Sequence, residues 1–135
     1  MMKRFSVLIL VLIFAVCGLT GCGKYASHYN TVGHVYSGTS DSARTSFMEL
    51  DGTEVFKLKC ENGKTAGILY SGKLETGSLT VFYDCGEGKT ELFSMQSGEE
   101  IHACSDPLTA DTVYIIMETK EVCQNGSFSF EMNYN

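Results

Sequence analysis

The stretch Ser127-Phe128-Ser129-Phe130-Glu131-Met132-Asn133-Tyr134 alternates polar and apolar residues without a break. Side chains on a β-strand point to opposite faces at a period of two, so the four apolar residues face one way and the polar ones the other. A half-buried strand is the element that uses this order. From residue 43 onward the texture is the same, with short runs rich in Val, Ile, Phe, Tyr and Thr between glycine-containing turns. Ser78–Asp84, Thr90–Met95, Glu100–Ala103 and Thr112–Glu118 read as further strands, and no window of helical length carries a 3.6-residue period. The expectation is an all-β antiparallel sandwich of about seven or eight strands, occupying residues 43–135.

Turn chemistry sets the expected register. Asp51-Gly52 and Asn62-Gly63 are both two-residue hairpin signals, because type I′ turns need positive φ at both central positions. That register sets Phe47 opposite Phe56, faces Glu61 with Lys64, and gathers Phe47, Phe56, Leu58 and Leu69 on a core face. The opposite face then carries Met48, Val55, Ile68 and Tyr70 among Lys57 and Lys59, which is more apolar than a solvated face requires. Those four residues are the candidate interaction face, with the segment around Val35 and Tyr36 as a candidate cover. Asn125-Gly126 is a third turn signal, but a hairpin there would set Glu121 opposite Phe130. A longer loop over roughly residues 119–125 fits the burial pattern better.

The first 22 residues carry a different message. Met1-Met2-Lys3-Arg4 is positive, residues 5–17 are almost uninterruptedly apolar, and Leu19-Thr20-Gly21-Cys22 follows. The apolar run is shorter than the roughly 20 residues a spanning helix needs, and a positive start with small residues after the apolar stretch is the order of a secretory signal. The tetrapeptide resembles the lipobox of bacterial lipoproteins. The resemblance implies a signal peptide over residues 1–21 and a Cys22 that carries lipid and begins the mature chain. It also implies an anchor on the extracytoplasmic side of the cell membrane, or of the outer membrane if the source has two. Residues 22–42 read as the lipidated cysteine, a tether over about residues 23–31, and a candidate short strand around residues 32–37. The cadence of Gly77-Ser78-Leu79-Thr80-Val81, Val113-Tyr114-Ile115-Ile116 and Gly126-Ser127-Phe128-Ser129-Phe130 resembles small β-sandwich modules of bacterial surface lipoproteins without an assigned function.

Charge narrows the partners. The full chain carries a net −6, and cleavage before Cys22 removes Lys3 and Arg4, so 135 residues become 114 and −6 becomes −8. That balance excludes a basic nucleic-acid footprint and leaves the lipid on Cys22 as the membrane contact.

Four cysteines remain in the body. Strand parity brings Cys60, Cys85 and Cys104 to one pole of the sandwich as a candidate disulfide or thiol cluster, and sends Cys123 to the other. A strand of about seven residues spans roughly 23 Å while a disulfide needs Cα atoms within about 7 Å, so at most one bridge is expected, among the first three. His102 shares a strand face with Cys104, but no close Cys pair of the zinc type occurs and no metal is expected. His28 and His34 fall in or near the tether. Asp84 and Glu87 flank a glycine-rich loop that a hairpin explains as well as calcium does. There is no G-x-S-x-G, H-E-x-x-H or phosphate-binding glycine loop, and no catalytic residue or cofactor is assigned. The reading is a non-catalytic binding module for an unknown protein or carbohydrate ligand. A structural or accessory subunit of an envelope complex is the alternative, and a small hydrolase or metal-binding protein the remote one. The chain has seven Tyr and eight Phe but no Trp, which weakens the sugar version, because indole is the strongest stacking surface.

Overall fold

The computed structural model describes residues 25–61 and 64–134. The segment expected to be a signal peptide, Cys22 with the proposed lipid site, and Asn62-Gly63 lie outside the described residues. Nine strands follow in order: β1 (His28–Val32), β2 (Val35–Gly38), β3 (Ser42–Lys59), β4 (Ala66–Thr76), β5 (Ser78–Asp84), β6 (Thr90–Gln96), β7 (Glu100–Cys104), β8 (Thr112–Thr119) and β9 (Cys123–Tyr134). All pairings are antiparallel, so the fold is the expected all-β, sandwich-like one, with one strand more than the upper expectation.

The long strand β3 organises everything else. Its first arm, Ser42 to Leu50, pairs with β9, and its second, Thr53 to Lys59, pairs with β8. Nine residues of straight strand span about 30 Å, yet the side chains of Thr45 and Glu54 are 2.9 Å apart. The strand therefore folds over near Gly52, and its arms lie in opposite layers. One layer runs β6-β5-β8-β3 and the other β3-β9-β4-β7, while β1 and β2 pair along the free edge of β3.

This corrects the hairpin at Asp51-Gly52. The chain does reverse there, but the arms face each other across the core instead of bonding side by side. Gly52 has φ +132°, and a Cβ on it would strike the carbonyl oxygen of His28 and come within 2.7 Å of Tyr29 Cα. The glycine serves the close approach of β1, not a type I′ turn. Phe47 and Phe56 are both buried, as expected, but not as a cross-strand pair.

Inward parity also slips along β3. Ala43, Thr45 and Phe47 point inward, then Leu50, and after it Glu54, Phe56 and Leu58. The slip sits opposite Asn125, which has φ +52°, where the ladder skips from Phe47–Gly126 to Glu49–Gln124. The register is the same on both sides, so Met48 and Asn125 form a one-residue break in each strand and not a bulge, and both strands change their inward parity across it.

The core fills the space between the layers. Phe93 of β6 stacks on Tyr70 of β4 at 4.9 Å between ring centroids, and Phe56 of β3 meets Phe130 of β9 at 5.7 Å. Phe128, Phe130 and Met132 are buried, so the alternation of the final strand holds. That strand starts four residues earlier than expected, at Cys123, and only residues 120–122 separate it from β8. The segment assigned to a tether is structured as well: His28–Val32 forms β1, and residues 25–27 lie against the outer side of the β6-β5-β8-β3 layer.

Candidate functional site

The outer face of the β3-β9-β4-β7 layer, extended by β2, carries a cluster of serines among charged and larger side chains. Alternation puts Phe128, Phe130 and Met132 inward, so Ser127, Ser129 and Glu131 must point out. Antiparallel pairing then lines them up with their neighbours. One rank reads Ser37, Arg44, Ser129, Ser71, His102 across five strands. A second reads Val35, Ser46, Ser127, Lys73, Glu100. Neighbouring strands lie about 4.8 Å apart, so the hydroxyls form a regular array. Because serine is short, the array is recessed into two shallow depressions of about 380 and 350 Å³. Both are lined by Ser37, Arg44 and Ser129.

Arg44 is the only arginine of the chain apart from Arg4. It is exposed, and among the described residues no carboxylate pairs with it. A guanidinium offers five donors in a planar fork suited to carboxylate, phosphate or several sugar oxygens. Alternation alone made this face legible from Ser127 onward, but Arg44 was missed because the turn at Asp51-Gly52 was read as a hairpin.

A second polar group is internal. Glu54 is only 3% exposed; its carboxylate accepts from Thr45 Oγ1 at 2.9 Å and meets His34 Nε2 at 2.8 Å. His34 Nε2 is also 3.1 Å from Thr45 Oγ1. The trio looks like a nucleophile, a base and an acid, but a relay needs the two ring nitrogens of the histidine to serve different partners. Here one nitrogen serves both, and the hydroxyl bonds the carboxylate directly. The arrangement clamps the β1–β2 connection onto β3. Beside it, burial and the Glu54 charge hold the Tyr29 hydroxyl above its ordinary pKa. The sequence offered a signal for Glu54, which shares the parity of Phe56 and Leu58, whereas His34 had none and is half-buried instead of lying in a tether.

The four residues of the candidate interaction face do not share a face. Ile68 and Tyr70 are core residues, while Met48 is exposed and Val55 half-buried. The registers that grouped them fail twice: β3 folds over at Gly52, and β4 pairs with β9 and β7 instead of β3, which turns Ile68 and Tyr70 inward and Leu69 out of the core. Tyr36 covers none of them; it stacks on Phe56 at 5.7 Å.

Cys60, Cys85 and Cys104 do gather at one end, beside the connections that leave β3, β5 and β7. Cys60 N–H donates to the Asp111 carbonyl, Cys85 lines a depression with Asp111, and Cys104 pairs with Leu69 near the start of β4. Cys123 packs at the other end, against Gly77. The thiols of these four cysteines are free. His102 and Cys104 are both exposed on β7, and no hydrogen bond joins them among the described residues. Asp84 is committed elsewhere: Oδ1 accepts from the Gly86 and Gly88 amides at 2.8 and 3.2 Å, and Oδ2 accepts from Tyr25 Oη at 2.7 Å. Its oxygens hold the loop that was weighed for calcium. Among the described residues no cluster of three or more His, Cys, Asp or Glu side chains could hold a metal ion.

No protein-family profile matches the chain, and no curated protein does. Solved structures that resemble it include a CBM4 module at 14% identity, with TM-score 0.43, over 88% of this chain and 83% of the other. A CBM29-2 variant complexed with mannohexaose follows at 13% identity and TM-score 0.40, over 82% and 91%. A CENP-C cumin domain from Drosophila melanogaster stands at 9% and 0.30, over 74% and 72%. All three scores are too low to carry an argument about what this chain binds.

Proposed function

We propose that the protein is an extracytoplasmic lipoprotein, held to its membrane through Cys22, whose β domain is a non-catalytic binding module. The lipobox-like Leu19-Thr20-Gly21-Cys22 supports the anchor. The ligand face is the hydroxyl-lined outer face around Arg44. One observation carries this: an unpaired guanidinium stands between Ser37 and Ser129 in a five-strand rank of polar side chains and lines both depressions of that face. Such a surface recognises an extended polar ligand through hydrogen bonds, and charge selects one bearing carboxylate or phosphate groups.

Binding of the protein to neutral and uronate-bearing oligosaccharides, compared with its Arg44→Ala variant, tests the face. Retention of uronate-bearing chains by the protein and their loss in the variant support it; equal binding by both sinks it. For the anchor, Cys22→Ala releases the protein or leaves it unprocessed, and normal cleavage with unchanged membrane attachment refutes lipidation.

The accessory-subunit reading has one specific support. Val32, Val35 and Met48 are 53%, 64% and 61% exposed and lie together where the β1–β2 connection passes Met48 of β3. Exposed apolar residues in a group mark protein contacts more often than scattered ones do. A Met48→Asp substitution that abolishes co-purification of a partner favours this reading over the first.

A further inference from the structure

We infer that the outer face of the β6-β5-β8-β3 layer around Tyr25, Lys57 and Lys59 is turned toward the membrane and lies against the phosphate headgroups of an anionic bilayer. This rests on the lipidated Cys22 proposed above, and adds an orientation that the lipid alone does not impose.

The first argument is the length of the leash. Only Gly23 and Lys24 separate Cys22 from Tyr25. At 3.8 Å between consecutive Cα atoms, Cys22 and Tyr25 are at most about 11 Å apart. Tyr25 is docked on the domain: its ring meets that of Tyr114 at 5.5 Å, and its hydroxyl donates to the buried Asp84 carboxylate at 2.7 Å. Two residues on, Ser27 Oγ accepts from the Val55 amide at 2.8 Å, and β1 begins directly afterwards. The chain has no slack between the acyl attachment point and the folded body. An anchor on so short a leash brings the face that holds Tyr25 to the headgroups and leaves the far layer outside.

The second argument is charge. Lys57 and Lys59 are exposed and share the outward parity of the strand beside Tyr114, with Lys57 Nζ 6.0 Å from the Tyr114 ring centroid. Neither pairs with a carboxylate among the described residues. Lys24 adds a third cation next to the anchor in sequence. On the same face Glu118 is neutralised by Lys89 at 2.8 Å, and Glu91 lies out on the edge strand β6. A mature chain of net −8 is repelled by an anionic surface as a whole; Arg44 and Lys73 on the other layer are unpaired too, so charge does not choose the face, but Lys24, Lys57 and Lys59 offset the repulsion on the side where the leash holds it. The Arg44 face belongs to the other layer and so looks outward, away from the bilayer.

Because the chain has no tryptophan, one introduced Trp gives a single-site signal. The lipidated protein is reconstituted in phosphatidylcholine vesicles, with or without phosphatidylglycerol, containing headgroup-spin-labelled lipid as quencher. Thr112→Trp reports the proposed membrane face and Ser129→Trp the opposite one, with Phe82→Trp, on the outward side of β5, and Ser37→Trp as a second pair in case either of the first fails to fold. Expected is several-fold stronger quenching at 112 and 82 than at 129 and 37. Lys57→Glu with Lys59→Glu should reduce that difference in the anionic vesicles while the lipid mass on Cys22 is retained. Equal or reversed quenching with the lipid mass present overturns the orientation alone. Absence of the lipid mass and of vesicle association overturns the anchor reading, and this inference with it.

Discussion

Thr45 Oγ1 donates to Glu54 Oε1 across 2.9 Å, although the two residues sit on one strand nine positions apart. The bond marks the inside of the fold in β3, and His34 closes it from the β1–β2 connection at 2.8 Å from Glu54 Oε2. Removing His34 leaves a buried carboxylate with only the hydroxyl for company. His34→Ala is expected to cost about 3 kcal/mol in urea unfolding, the range for breaking a buried pair by deleting one partner. Glu54→Gln, which keeps hydrogen-bonding atoms in place without the charge, should cost less; an equal or larger loss shows that the charge itself is the stabilising element.

Gly52→Ala tests the close approach of β1. The new methyl group meets the backbone of His28 and Tyr29, which cannot swing aside as a side chain can, and φ of +132° adds strain. A loss of about 3 kcal/mol is expected, together with faster amide exchange in His28–Val32 than in Ser78–Asp84. A variant with wild-type stability and protected β1 amides rules out this role for Gly52.

Burial pushes the Cys123 thiol up from 9.0 to about 11. A neutral thiol is thereby favoured in the folded state, so its contribution is complete below the ordinary pKa and is lost as pH rises through the folded one. Stability should decline between about pH 9 and 11, and a Cys123→Ala variant should show a shallower decline. In the native protein at pH 8.5, iodoacetamide should modify exposed Cys104 well before Cys123. Comparable rates at the two sites contradict the burial of Cys123.

Asp84→Ala removes the acceptor for the Tyr25 hydroxyl and for two glycine amides. Hydrogen bonds to a charged acceptor contribute about 1.5–3 kcal/mol each at most, and the lost loop order partly offsets their sum, so about 3 kcal/mol of destabilisation is expected. Limited proteolysis should then cut ahead of β1 while the core strands stay protected. If residues 25–27 stay as resistant as in the native protein, Tyr25 is held by other contacts.

The strands with uninterrupted alternation were legible because burial on one side dictates a period of two; Ser78–Asp84 was found to the residue and Thr112–Thr119 to within one. What failed was the meaning of Asp51-Gly52. A dipeptide that permits positive φ fits a hairpin, a bulge or a close backbone crossing equally well, and only the arrival of β1 at Gly52 distinguishes them. From that misreading came the wrong partners for Met48 and Val55, and from the expected pairing of β3 with β4 across Asn62-Gly63 came those for Ile68 and Tyr70. The tether was misjudged for a related reason: β1 and β2 are polar and mostly exposed, so their pairing with β3 leaves no hydrophobic pattern to read. The recessed serine face was half visible, since alternation gives which residues point outward but not which strands stand side by side.

The shared strand also governs how this chain can acquire its structure. The partners that complete β3 on its inner edge, β8 and β9, begin at Thr112 and Cys123, some fifty to eighty positions later in the chain. Pairings at such separation must first overcome the entropy of closing a long loop, and proteins dominated by them fold slowly. Until the C-terminal strands arrive, the eighteen-residue β3 has only the short, local β1 and β2 on one edge and keeps the other open, and an open edge invites pairing with other chains. The hazardous interval is the one before Phe128 and Phe130 reach the core, and whatever shields β3 until then protects the chain from mispairing.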